Sequence, residues 1–193
     1  QNVRKAIEMG VDKEGFCSVI MQGRGLPASA AFPDSFSYGN QAVETVSYDP
    51  EVAKALLEES GWTDSDGDGY VDKDGEKLTV NWLTYPTRLE QPKLAEYAQA
   101  TLKEIGIDVK VNNTSDHMTY AGNGDFDVYV SSLTTAPTGD PEYFFTSTVT
   151  GPKNYGGYQN KEVTELTEKL HQTFETEERS ALAVELQQKI LDD

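Results

Sequence analysis

The sequence predicts an α/β fold, a mixed, mostly parallel sheet flanked by helices. Three observations carry this. Residues 77–85, "KLTVNWLTY", alternate Leu78, Val80 and Trp82 on one face, the period-two pattern of a strand. Leu94, Ala98, Leu102 and Ile105 then recur at helical spacing, Gly106 supplies the stop, and "IDVKV" begins at once with Ile107, Val109 and Val111 alternating. A strand, a helix and a strand in that order make a βαβ unit, so the two strands run parallel. After a short helix at about 115–120, "FDVYVSSL" repeats the alternation at Phe126, Val128 and Val130 and adds a third strand to the same sheet.

The remaining elements follow from caps and stops. Asn2 caps a helix through Val3, Ile7 and Met9, which Gly10 ends, and Asp12 caps a second with Phe16, Val19 and Ile20 on one face. Residues 23–48 are rich in Gly, Pro, Ser and Ala without periodicity and read as a long ordered loop. Asp49-Pro50-Glu51 combines an N-cap, a proline at the first helical position and an acid in the first turn, and Val52, Leu56 and Glu59 carry that helix to Gly61. A β-hairpin is expected around 62–80. Asn160 and Thr176 cap two closing amphipathic helices, the first lined by Val163, Leu166, Leu170 and Phe174, the second by Leu182, Leu186 and Ile190.

Composition narrows the function classes. With 193 residues the chain has enough length for a substantial core, and 37% hydrophobic against 25% charged residues fits a soluble globular protein. A formal net charge of -17 repels nucleic acid and anionic membranes. The single cysteine, Cys17, excludes an internal disulfide. The two histidines, His117 and His171, lie far apart, with no partner at metal-ligand spacing. No Ser/His/Asp set, Walker loop or GxGxxG is present, so the chain reads as a non-enzyme. Both ends read as helices, "QNVRKAIEMG" and "ELQQKILDD", and the expectation is a lobe of a longer protein.

Two loops follow the carboxyl ends of predicted strands, the edge at which open α/β sheets bind ligands. "TYPTRLEQP" (84–92) offers Thr84, Tyr85 and Arg88; "TTAPTGDPEYF" (134–144) offers Thr134, Thr135, Asp140 and Tyr143. Arg88 suits a bidentate contact to a carboxylate, or pairs with Glu90 or a neighbouring carbonyl. The densest acidic run, "DSDGDGYVD" (64–72), sets Asp64, Asp66, Asp68, the Tyr70 carbonyl and Asp72 at positions 1, 3, 5, 7 and 9 of an EF-hand loop, with Gly69 at position 6. Position 12 is Gly75 instead of glutamate, and a strand follows instead of a helix. Two readings stand: a structural calcium site at a hairpin tip, or an Asp/Gly-rich turn with solvated carboxylates.

Taken together, "VRKAIEMGVDKEGF", "YDPEVAKALLEESGW", "DSDGDGYVDKDGEKLTVNWLTY", "LAEYAQATLKEIGIDVKV", "DFDVYVSSL", "GGYQNKEVTELTEKL" and "ERSALAVELQQKILDD" resemble the second large lobe of family 5 extracellular solute-binding proteins. Thr164 in "EVTEL" stands where that family usually has aspartate. The resemblance implies residues 1–193 as a single lobe of a two-lobed clamp of the periplasmic binding protein type. It implies the receptor of an ATP-driven importer, monomeric, outside the cytoplasm and lipid-anchored through its parent chain, with permease subunits as partners. The segment 135–160 is similar to nickel-type members, so nickel or a nickel chelate is the expected ligand, with a dipeptide or oligopeptide as the alternative. The resemblance maps ligand contacts onto 84–88 and 134–143. A calcium-stabilised interaction domain is the alternative from a different class.

Overall fold

The computed structural model describes residues 1–193. The chain forms two compact units: residues 1–27 with 46–131, and residues 28–45 with 132–193. Each has its own apolar core, a division the sequence reading did not draw.

The first unit contains α1 (Asn2–Gly10), α2 (Lys13–Gly15) running into a π-helical turn (Phe16–Ile20), α3 (Pro50–Glu59), α4 (Glu90–Lys103) and α5 (His117–Asn123). Its strands are β1 (Asp72–Lys73), β2 (Glu76–Lys77), β3 (Thr79–Thr84), β4 (Asp108–Asn113) and β5 (Val128–Tyr129). The main sheet has the order β4-β3-β5, and both pairings are parallel, Trp82 facing Val111 on one side and Val128 on the other. The βαβ reading of 77–111 therefore holds. Gly106, at φ +81, turns the chain from α4 into β4, and its carbonyl accepts the Val71 amide at 2.8 Å. The third strand is shorter than its apolar alternation because a side chain takes over the ladder at its start. Asp127 Oδ2 accepts the Asn81 amide at 2.7 Å while the Asp127 amide donates to the Asn81 carbonyl.

Asp12 and Asp49 cap as expected, Asp12 accepting from the Gly15 amide at 2.7 Å and Asp49 from those of Glu51 and Val52. The buried face of α3 is Ala53 and Leu57, not the Val52 side, and Val19 stands 68% exposed instead of packing with Phe16. Every residue from Trp82 to Tyr85 is buried, not only the alternate ones, as befits a central parallel strand covered on both faces. The hairpin is narrower than 62–80: β1 and β2 pair antiparallel across Asp74-Gly75, both at positive φ, a two-residue turn of the kind Asp-Gly favours. The aspartate loop is thus not the hairpin tip. It is a separate loop, closed at its base by a Thr63–Asp72 bridge.

The second unit is helical: α6 (Glu142–Phe144) running into a π-helical turn (Phe145–Val149), α7 (Lys161–Gln172) and α8 (Thr176–Asp192). Val163, Leu170, Leu182 and Leu186 meet Phe32, Tyr38 and Phe145 in its core. The Gln187 side-chain amide donates to the Tyr38 carbonyl at 2.8 Å and ties residues 28–45 to α8. Asn160 caps α7 through the Val163 amide. Thr176 does not cap α8: it is the first helical residue, and Glu175 holds the cap position without a side-chain bond. Phe174 leaves the apolar face expected for it and is 86% exposed, because α7 ends at Gln172 and the chain turns extended at Thr173.

Candidate functional site

Parallel pairing places the carboxyl ends of β3, β4 and β5 along one edge, and the chain delivers one ring-bearing side chain after each. Tyr85 follows β3, His117 opens α5 after β4, and Tyr129 ends β5. The His117 imidazole stacks on the Tyr85 ring, with centroids 4.1 Å apart and an interplanar angle of 23°. Its Nδ1 lies 2.8 Å from the Tyr129 hydroxyl, which in turn donates to the Met118 sulfur at 3.9 Å. Tyr85 is 7% exposed, and His117 and Tyr129 are half-buried. The result is an imidazole fixed in its plane by one ring and in its rotation by another, at the ligand-binding edge of such sheets.

Thr84, read as a ligand contact, is fully buried with its hydroxyl unpartnered, and its carbonyl accepts the Thr114 amide. Arg88 is exposed and forms no ion pair with Glu90; its backbone carbonyl accepts the Gln91 amide at the start of α4. Sequence reasoning set His117 aside for want of a second histidine and missed Tyr129. The available signal was that Tyr129 occupies the opposite face to Phe126, Val128 and Val130 at the end of its strand.

The second predicted loop belongs to the second unit. Thr134 is exposed and Thr135 half-buried. Asp140 does not stand free: both its carboxylate oxygens contact Arg179 Nη2, at 2.7 and 2.8 Å, and Oδ1 also accepts the Glu142 amide. The same Nη2 reaches Glu142 at 3.1 Å, while Nη1 donates to the Leu170 and Thr173 carbonyls, which terminate α7. His171 Nδ1 lies 2.6 Å from the other Glu142 oxygen. Burial raises the Glu142 pKa, but the hydrogen bonds and charges of His171 and Arg179 outweigh it and hold the carboxyl below its ordinary range. These groups, with Tyr38 and Phe174, line an open cleft of about 450 Å³. Tyr143 is 47% exposed; the Lys153 ammonium 3.3 Å from its hydroxyl lowers its pKa.

In the aspartate loop, carboxylate oxygens of Asp64, Asp66 and Asp72 lie within 4.8 Å of one another. Asp68 is drawn elsewhere, to Lys77 Nζ at 2.6 Å, a bond that lowers its pKa. Asp64 accepts the Gly67 and Gly69 amides, Asp66 the Asp68 amide, and Asp72 both the amide and the hydroxyl of Ser65. No helix of the molecule is long and apolar enough to cross a membrane.

Residues 1–156 match the family model of bacterial extracellular solute-binding proteins, family 5. The oligopeptide-binding protein AppA of Bacillus subtilis is 30% identical over 100% of this chain and 37% of its own length. The nickel-binding periplasmic protein of Escherichia coli is 31% identical over 75% of the chain and 28% of its own length. The solved structure of NikA from Staphylococcus aureus in complex with Ni(L-His)2 superposes with a TM-score of 0.82 at 27% identity, covering 98% of this chain and 39% of that one. The chain therefore spans well under half the length of the relatives it matches. Those relatives are binding proteins. On the extent of the family match and the α/β architecture behind it, the chain belongs to the bacterial extracellular solute-binding proteins of family 5.

Proposed function

We propose that the chain forms part of the substrate-binding component of an ABC importer, which captures nickel or a nickel chelate by closing two lobes around it. The observation that carries this is the ordered Tyr85–His117–Tyr129 set at the carboxyl edge of the parallel sheet. Similarity to nickel-binding relatives supports the ligand class. Dipeptides or oligopeptides are the second reading, favoured by AppA, which matches the whole chain and whose solved structure holds a nonapeptide. Tyr85, Arg88, Thr134, Thr135 and Tyr143 are the proposed contacts. Thr84 and Asp140 serve by support, since one is buried and the other is bound by Arg179. The receptor acts as a monomer outside the cytoplasm, held at the membrane by a lipid anchor, and its closed form is read by the permease subunits.

Small-angle scattering of the protein as its source makes it, with nickel–histidine or with a dipeptide mixture, tests closure. The radius of gyration is expected to fall with one of the two; if neither changes it, the clamp reading fails. Native mass spectrometry of the same material identifies a retained ligand and separates nickel from peptide.

Within the same proposal, Asp64, Asp66 and Asp72 hold a structural calcium ion that takes up the mutual repulsion of their charges. Thermal unfolding is expected to shift upward in millimolar calcium and not in magnesium. Identical melts in chelator and in calcium would show a loop held by its own backbone amides alone.

A further inference from the structure

We propose that the first unit carries a second binding site, for a small organic cation with an apolar body, in the cavity formed between the carboxyl ends of α3 and α4. Gly106 lines it just before the amino end of β4, so it lies at the sheet edge opposite the Tyr85–His117–Tyr129 set and stands independently of the nickel reading.

Two helix ends of the same kind build the walls. α3 stops at Gly61, at φ +82, whose amide donates to the Glu58 carbonyl while the Trp62 amide donates to that of Leu57, both at 2.9 Å. α4 stops at Gly106, whose amide donates to the Lys103 carbonyl while the Ile107 amide donates to that of Leu102, both at 3.0 Å. Each is a Schellman stop, closed by backbone alone. The Val71 amide bonds the Gly106 carbonyl, and the Thr63–Asp72 bridge ties the intervening chain, so the walls are joined before any ligand enters. Between them lies a cavity of about 390 Å³, within the range of small-molecule pockets. Leu57, Ile105 and half-buried Val71 give it an apolar lining, and half-buried Trp62 adds an indole.

Charge decides the occupant. Two helix C-termini meet at the cavity, and each carries the negative end of its helix dipole. α3 has no basic residue in its last turn, where Glu58 stands instead. The nearby cations are already engaged: Lys73 Nζ donates to the Ser60 carbonyl at 2.9 Å, and Lys54 Nζ pairs with Glu51 at 2.9 Å. Of the three carboxylates on the lining, that of Asp64 accepts the Gly67 and Gly69 amides. Those of Glu58 and Glu104 hold neither a hydrogen bond nor an ion pair. An indole and two uncommitted carboxylates around an apolar floor complement an ammonium group on a short hydrocarbon body. The ring face and the carboxylates attract the charge, and the floor buries the hydrocarbon. An anion of the same shape is repelled, and a neutral one gains the floor alone.

The test uses the protein as its source makes it, with nitrogen-15 in its tryptophan indoles, at constant ionic strength and with a chelator present to keep metal ions off the aspartate loop. Butylammonium is the probe, and butanol and butyrate are its neutral and anionic counterparts. The Trp62 indole resonance, assigned with Trp62→Phe, is expected to shift saturably with butylammonium and to need about tenfold more of either counterpart. Glu58→Gln combined with Glu104→Gln, both at exposed positions, is expected to weaken butylammonium binding about tenfold while leaving the urea midpoint in place. Equal binding of butanol would reveal an apolar cavity without charge selection and overturn the proposal. Undiminished binding in the double variant would overturn it as well, by putting the cation elsewhere. A Trp62 resonance that butylammonium never moves removes the site altogether, and none of these results touches the import reading.

Discussion

Replacing Asp140 with asparagine separates a ligand contact from a structural counter-ion. The carboxylate gives both oxygens to Arg179 Nη2, and the guanidinium side chain is only 14% exposed while that of Asp140 is 41% exposed. A fully exposed pair is worth about 0–1 kcal/mol, and breaking a buried one costs about 3–5 kcal/mol. An asparagine in this place would keep an oxygen for the Glu142 amide, so the local cap survives, and Glu142 still partners the guanidinium. The loss should therefore lie between the limits, at about 2 kcal/mol after allowing for the solvent-facing side of the carboxylate. With a urea m-value of roughly 2 kcal/mol/M, the unfolding midpoint falls by about 1 M. Circular dichroism in urea measures this, and calorimetry on the same preparation measures affinity for nickel–histidine and for dipeptides. The expected outcome is a shifted midpoint with affinity changed by less than about threefold, under 1 kcal/mol. Arg179→Met should cost more, since it also leaves the Leu170 and Thr173 carbonyls without their donor. An unmoved midpoint with a loss of affinity of about tenfold would refute the argument and return Asp140 to the ligand.

Four further outcomes follow from the same geometry. Gly106→Ala should cost about 2–3 kcal/mol in urea unfolding, because the residue sits at φ +81 and a Cβ would meet Val71 Cγ1 at 2.8 Å and the Val71 amide nitrogen at 3.1 Å. Gly124→Ala, at φ +76 with open space around it, should cost only about 1 kcal/mol, and equal costs would remove the steric part of the explanation. Glu142 has a pKa depressed below its ordinary 4.5, so its contribution is fully present above that pH and is lost as pH falls through the folded value. The stability gap between wild type and Glu142→Gln should therefore be constant near neutrality and close below about pH 4.5, and a gap that persists in acid would contradict this. Phe174→Ser should change stability by less than about 0.5 kcal/mol, since the ring is 86% exposed, and a larger loss would restore Phe174 to the core.

Local chemistry was legible, and long-range chemistry was not. The βαβ unit, the Asp12, Asp49 and Asn160 caps and the Gly106 stop all express interactions within a few residues of chain, so periodicity and capping rules reach them. Thr176 was misread because a threonine before an apolar run looks the same as a cap whether or not its oxygen finds an amide. The burial of Leu83 and Tyr85 was hidden because alternation shows one covered face, while a central parallel strand has two. The second unit joins 28–45 to 132–193 through bonds such as Gln187 to Tyr38, and no local pattern announces a bond of that span. Asp140 shows the same limit at the candidate site. Its residue type suited a ligand, but its partner Arg179 lies 39 positions away.

The relatives place a constraint on where selectivity resides. A peptide binder at 30% identity and a nickel binder at 31% are equally distant from this chain, and solved structures of both ligand classes superpose on it with TM-scores of 0.83 and 0.82. The backbone shared over this span therefore occurs in binding proteins of both ligand classes. Most of the first unit is committed to packing: Val80, Trp82, Ala95, Ala98 and Leu102 form its core. At the edge, the scaffold devotes a buried tyrosine and the hydroxyl of another to the orientation of one imidazole.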